Sequence, residues 1–179
     1  MTQAAQAANN AARLFLALLP TDEVKAALAS YAEQWRWPAG AQRYAAPDWH
    51  VTLHFLGSLP RQRLDELRAG LALPVTPFEL HLGQAELWPH GLAVLCPEVV
   101  PSGLAQLHAA LAQALARLGL RTDPRPLRPH LTLARHAQGA QPPLQRPRLD
   151  WPVAAYALME STGIAAARYH VLQSYPAQP

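Results

Sequence analysis

The chain has 179 residues, half of them hydrophobic and only 15% charged, a balance that excludes a disordered polymer and suffices for one well-buried domain. Its formal charge of +3, carried almost wholly by Arg with Lys25 as the sole lysine, is compatible with a polyanionic partner without requiring one. A single cysteine, Cys96, excludes an internal disulfide framework, and no apolar run reaches the roughly 18 residues that span a bilayer.

Residues 1–12, rich in Ala, Gln and Asn, have no hydrophobic periodicity and read as a disordered tail. Residues 13–19 form a short apolar strand that Pro20 stops. This run is too short for a signal core of about 7–15 residues and lacks a cleavage site after it, so the expectation is a cytoplasmic protein. Thr21 or Asp22 caps a helix over about 23–36, with Val24, Leu28 and Tyr31 at helical spacing and Pro38-Ala39-Gly40 as its stop. Residues 43–48 approach a strand that opens at His50 and closes at Gly57. Pro60 starts a second helix with Leu64, Leu67 and Leu71 on one face.

Phe78, Leu80 and Leu82 alternate, so 78–88 reads as a strand, followed by a turn at Pro89-His90-Gly91 and a further strand over 92–96. Cys96 in that apolar run reads as a small buried hydrophobe rather than a nucleophile. Ser102 is the expected N-cap of a helix that carries Leu104, Leu107, Leu111 and Leu115 and stops at Gly119. A Pro/Arg-rich loop over 121–129 delivers another strand at His130. Residues 138–147 read as an exposed loop, and 151–160 and 168–173 as two closing strands.

One phrase is written twice. His50-Val51-Thr52-Leu53 and His130-Leu131-Thr132-Leu133 each follow a Pro-containing approach, and each places His and Thr at i and i+2. In a strand those two positions share a face, which sets an imidazole beside a hydroxyl. Two such pairs across one cleft suit acid–base catalysis on an anion: one ring takes a proton, the other gives one, and hydroxyls hold phosphate oxygens. Strand, helix, approach loop and motif strand occur in the same order twice. This predicts two βαβ-like repeats of about 13–89 and 90–176 within one bilobal domain over 13–179, related by a pseudo-twofold that brings the motifs together.

The motifs HVTLHFLG at 50–57 and RPHLTLAR at 128–135 resemble the two signatures of the 2H phosphoesterases. Within these the chain is most similar to the RNA 2′,3′-cyclic phosphodiesterases, also called the LigT-like or 2′-5′ RNA ligase family. Residues 13–20, 78–80, 159–161 and 168–169 resemble further strands of that family. The resemblance implies a two-lobed α+β fold with antiparallel sheets flanked by helices and the active-site cleft between the lobes. It implies hydrolysis of RNA 2′,3′-cyclic phosphate ends to 2′-phosphates, with His50 as proton donor and His130 as proton acceptor. The residues alone would allow those two roles to be exchanged. It assigns Thr52, Thr132 and Arg135 to phosphate binding, although Arg135 has the wrong parity for the cleft in a regular strand. Phe15 would stack on a nucleobase, and Arg43 would reach phosphate or ribose. No metal, no cofactor and no membrane are expected, and the protein is expected to act as a monomer on RNA or nucleotides with cyclic phosphate ends.

His54 has the parity of His50 and Thr52 and is a candidate lining residue, without a twin in the second motif, where Ala134 stands. His81, His90, His108, His136 and His170 form no metal-ligand spacing, and His108 is expected on the polar side of its helix. The competing readings are a related phosphodiesterase acting on 2′-5′ oligoadenylate or an ADP-ribose cyclic phosphate, a non-catalytic RNA-end binding module, and a His-rich metalloprotein.

Overall fold

Strand β1 (Ala11–Leu18) turns Ala12, Leu14, Leu16 and Leu18 into the main core, and all four are almost fully buried. Phe15 and Ala17 point the other way and pack with Ala157 and Met159. The strand starts earlier than expected, so Ala11 and Ala12 belong to it and not to a tail. The structure, a computed structural model, describes residues 10–177, and residues 1–9 of the expected tail lie outside them.

Among the described residues three α-helices cover the sheet. Helix α1 (Asp22–Ala32) is capped by Thr21, whose hydroxyl accepts from the Val24 N–H at 3.3 Å, and it buries Val24, Leu28 and Tyr31. It ends at Ala32, short of the expected 36. Helix α2 (Leu64–Gly70) starts later than Pro60 because strand β3 (Val51–Pro60) runs through that proline and a 3₁₀ turn, Arg61–Arg63, intervenes. Helix α3 (Ser102–Arg117) has Pro101 at its N-cap with no side-chain cap, so Ser102 is its first helical residue and not the cap. Its far end closes on Gly119, at φ 72°. There the Gly119 and Leu120 N–H groups donate to the Ala116 and Leu115 carbonyls at 3.0 and 2.9 Å, the paired bonds of a left-handed C-terminal cap.

The remaining strands are β2 (Gln42–Arg43), β4 (Phe78–Trp88), β5 (Leu92–Pro97), β6 (Leu131–Arg135), β7 (Leu149–Val153), β8 (Ala155–Ser161) and β9 (Tyr169–Pro176). All pair antiparallel in the order β7-β4-β5-β6-β3-β1-β8-β9, with β2 added to β6. The two four-stranded halves meet at the motif strands, where Val51 faces Leu131 in the one register pair between β3 and β6. Strand expectation fails at 151–160, which is two strands. Ala154 breaks it, and β7 and β8 then join opposite halves, pairing with β4 and β1. Pro152 is tolerated because β7 is an edge strand.

Each motif strand carries an extra residue just after its threonine, and β3 carries a second at Leu56. Along β1, Leu16 faces His54 and Ala17 faces Thr52, so Leu53 has no partner. Along β5, Ala93 faces Ala134 and Val94 faces Thr132, which leaves out Leu133. A one-residue bulge inverts the alternation beyond it. Thr52 therefore shares the cleft with Phe55, and Thr132 with Arg135. His54 goes to the opposite face, against the expectation that it lines the groove, and is only 5% exposed. Its Nε2–H donates to the His108 carbonyl at 2.9 Å, and the two rings stack with centroids 4.0 Å apart. His108 thus turns toward β3, its ring stacked on His54, and not to a polar helix face.

Burial lowers the proton affinity of both His54 and His108, and the charge of His54 lowers that of His108 further. The unfolded chain binds these protons near the ordinary value of 6.5, and the folded chain only at lower pH. The pair's contribution is therefore complete above about pH 6.5 and is lost as pH falls through the window below it. We expect His108→Ala, which keeps the His54 bond to the backbone carbonyl, to lose less stability than wild type between about pH 7.5 and about pH 5.5. Urea midpoints at the two pH values measure this, and equal losses would contradict it.

Candidate active site

Each catalytic candidate stands one residue before its strand, where an approach loop enters the sheet. His50 follows a 3₁₀ turn, Ala46–Asp48, and its Nδ1 lies 2.7 Å from the Asp48 carbonyl. His130 follows Pro129, and its Nδ1 lies 2.9 Å from the Arg128 carbonyl. A carbonyl only accepts, so each Nδ1 carries hydrogen and each neutral ring keeps Nε2 bare and basic. The same i−2 bond orients both imidazoles.

Both rings line one cleft of about 410 Å³, together with Thr52, Thr132, Phe55 and Arg135. His50 packs against Phe15 at 5.1 Å between centroids and edge-on against Tyr169 at 4.8 Å. That burial is the main reason its proton affinity is lowered, and the charges of His130 and Arg135 add to it, while the Asp48 carbonyl opposes. His130 packs on Trp88 at 4.5 Å, and the Arg128 guanidinium lies 4.0 Å over the same indole. Burial lowers His130 as well; the Arg128 carbonyl opposes this and the Arg128 charge adds to it. The charge of His130 thus reaches the His50 ring, so a proton on one disfavours a proton on the other.

An aromatic and cationic wall closes the cleft beside His50. Tyr44 continues β2, its N–H donating to the Leu133 carbonyl at 2.8 Å, and it lines the cleft beside Tyr169. Arg168 and Arg135 lie 4.9 and 5.8 Å over the Tyr44 ring. Arg168 also pairs with Asp48 at 3.4 Å. Asp48 therefore holds His50 through its carbonyl and Arg168 through its carboxylate. Burial raises the Asp48 carboxyl, and Arg168 works against that.

The structure brings His50, His130, Thr52, Thr132, Arg135 and Phe15 to this cleft. Phe15 is only 3% exposed, however, wedged among His50, Phe55 and Tyr169, and offers no open ring face. The exposed aromatic is Phe55, at 70%. Arg43 is not at the cleft: it lies on β2 and pairs with Glu33 at 3.3 Å. Tyr44, Phe55, Arg168 and Tyr169 were not singled out from the sequence. Phe55 was missed because strict alternation points it away from the groove. Cys96 is buried, and burial pushes its thiol up to about 12, so it is no nucleophile. Among the described residues no three His, Cys, Asp or Glu side chains gather as metal ligands.

A family model described as the 2′-5′ RNA ligase superfamily matches residues 20–163, which include both motifs. The chain is 32% identical over 160 residues to the RNA 2′,3′-cyclic phosphodiesterase of Escherichia coli, covering 87% of each. It is likewise 32% identical over 162 residues to the protein of that name from Thermus thermophilus, covering 83% of this chain and 81% of the relative. The crystal structure of Escherichia coli LigT in apo form matches with a TM-score of 0.83 at 26% identity, over 95% of this chain and 99% of that one. LigT complexed with 3′-AMP matches with a TM-score of 0.81 at 26% identity, over 94% and 99%. With its twin His-x-Thr strands, its antiparallel α+β architecture and this breadth of likeness, the chain belongs to the 2′-5′ RNA ligase superfamily.

Proposed function

We propose that this chain is an RNA 2′,3′-cyclic phosphodiesterase that opens the ring by acid–base catalysis between His50 and His130. The observation that carries the mechanism is the pair of Nδ1–carbonyl bonds, which leaves two bare Nε2 atoms for one cleft. The relatives' names supply the reaction class.

His130 Nε2 takes a proton from water as the water oxygen bonds to phosphorus. The bond from phosphorus to the ribose 3′ oxygen breaks, and protonated His50 delivers its Nε2 proton to that oxygen. The product is a 2′-phosphate beside a 3′-hydroxyl, and solvent returns the proton pair to its starting state. Thr52, Thr132 and Arg135 hold the non-bridging oxygens and the charge that builds on them. The resemblance assigns donor and acceptor, and the shape of the cleft supports the same assignment. Most of its lining comes from the His50 half, whereas the His130 half supplies little beyond His130, Thr132 and Arg135. A leaving ribose needs room and an attacking water does not. The terminal base lies on Phe55, the open aromatic face. The reading extends to a monomeric protein acting in the cytoplasm, in keeping with its lone buried cysteine.

His50→Ala and His130→Ala should each lower turnover of a nucleoside 2′,3′-cyclic phosphate about 10²–10⁴-fold, with excess EDTA present throughout. The double variant should lose far less than the product of the two, because the rings work as a unit. Near-wild-type turnover by either single variant rules the mechanism out. Phe55→Ala should raise KM about tenfold with little change in kcat, given a stacking contribution of about 1–3 kcal/mol per base; a loss confined to kcat would contradict the base-platform role.

The pH dependence follows from the shifts. Both folded-state proton affinities lie below the ordinary 6.5, and the competent free enzyme holds one proton on the pair. Its population, and with it kcat/KM, should peak below about pH 6.5 and decline as pH rises through that value. A bound anionic phosphate stabilises protonated His50, so the alkaline limb of kcat should lie at higher pH than that of kcat/KM. Coincident limbs would show that substrate charge does not retain the proton.

A further inference from the structure

The cleft continues along β1, past the parts that a single cyclic nucleotide uses. Arg13, Phe15 and Ala17 occupy alternate positions on one face of a strand whose register with β8 is regular. Across from them on β3, Ala17 faces Thr52, Phe15 faces Phe55, and Arg13 faces Ser58. The order along the floor is therefore phosphate site, base platform, guanidinium. At about 3.3 Å per residue, the Arg13 backbone is roughly 13 Å from that of Ala17, too far for its side chain to serve the reacting phosphate.

Arg13 is exposed, lines the cleft, and has no carboxylate partner among the described residues. The nearest acid in register, Glu160, faces Leu14 across the strands and is bound by Arg61. Gly57 and Gly163 flank this end, and a side-chain carbon at either would meet nothing within 4 Å. The result is an open channel with a cation at its end.

We propose that Arg13 binds the backbone phosphate on the 5′ side of the terminal nucleotide, so that the cleft selects the end of an RNA strand over a lone nucleotide. The proposal rests on the phosphodiesterase reading above. With the leaving ribose on the His50 side and its base on Phe55, the 5′ oxygen must leave the site along the floor that extends further, which is β1. A guanidinium fork matches a phosphodiester and needs no particular base, as suits a strand read by its backbone.

The test compares a nucleoside 2′,3′-cyclic monophosphate with a short oligoribonucleotide ending in the same cyclic nucleotide, for wild type, Arg13→Ala and Arg13→Lys. We expect Arg13→Ala to lose at least about tenfold more kcat/KM on the oligonucleotide than on the mononucleotide, chiefly through KM. The dependence of log kcat/KM on log salt for the oligonucleotide should flatten by about 0.7, the share of one phosphate contact on a single strand. Arg13→Lys should retain most of that slope. Equal losses on the two substrates, or an unaltered salt slope in Arg13→Ala, overturn the proposal while leaving the phosphodiesterase reading intact. A wild-type protein that opens neither substrate overturns both.

Discussion

The extra residue directly after the threonine of each motif strand is the constraint on which the cleft depends. Without Leu53 and Leu133 standing out of register, alternation would carry Phe55 and Arg135 into the core and His54 into the groove. An unpaired guanidinium in an apolar interior carries a desolvation penalty of several kcal/mol, far more than an irregularity in one ladder. The bulge resolves that conflict: Ala134 fills the fully buried position and Arg135 emerges beside Thr132. On the other strand the same slip buries His54, which is tolerable because its Nε2–H finds a backbone carbonyl and its ring stacks on His108.

The electrostatics of the cleft follow from the same placement. Two imidazoles, Arg135 and Arg168 converge on it, and Asp48 is the carboxylate paired with Arg168. Positive charge and burial both disfavour a second proton on the pair, so His50 and His130 are held below their ordinary proton affinity. A cyclic phosphate brings the missing negative charge. In the proposed mechanism, substrate binding and protonation of His50 are then linked.

The motif pair was legible in the sequence because period-two patterning and a repeated phrase survive without any knowledge of the fold. The helices at Val24, Leu67 and Leu107 were legible for the same reason, with apolar stripes at their own period. What failed depended on long-range register. The passage from one half of the sheet to the other at Ala154 has no local signal beyond one residue, since β7 and β8 are both apolar and both β-prone. Phe15 has the composition of a stacking platform, but only the packing of Tyr169 and Phe55 around it shows that its faces are taken. Arg43 precedes the motif in sequence, yet β2 pairs with β6 and points that side chain at Glu33. Ser102 looked like a cap because helix ends shift by a residue when a proline takes the N-cap position.

The departures from symmetry matter as much as the symmetry. Both halves supply an imidazole, a hydroxyl and a bulge at equivalent positions, as the proposed attack on one phosphate with two apical oxygens requires. Beyond the bulge they diverge: one half presents the Phe55 ring and the other the Arg135 guanidinium. The apical groups of a ring opening differ in the same sense, since one is a ribose with a base attached and the other is water. A flat apolar face suits the first, and a charge that completes the phosphate's shell suits the second. On the proposed mechanism, the paired motifs match the symmetry of the reacting phosphorus, and their divergence at the residue three after each threonine matches the asymmetry of what is attached to it.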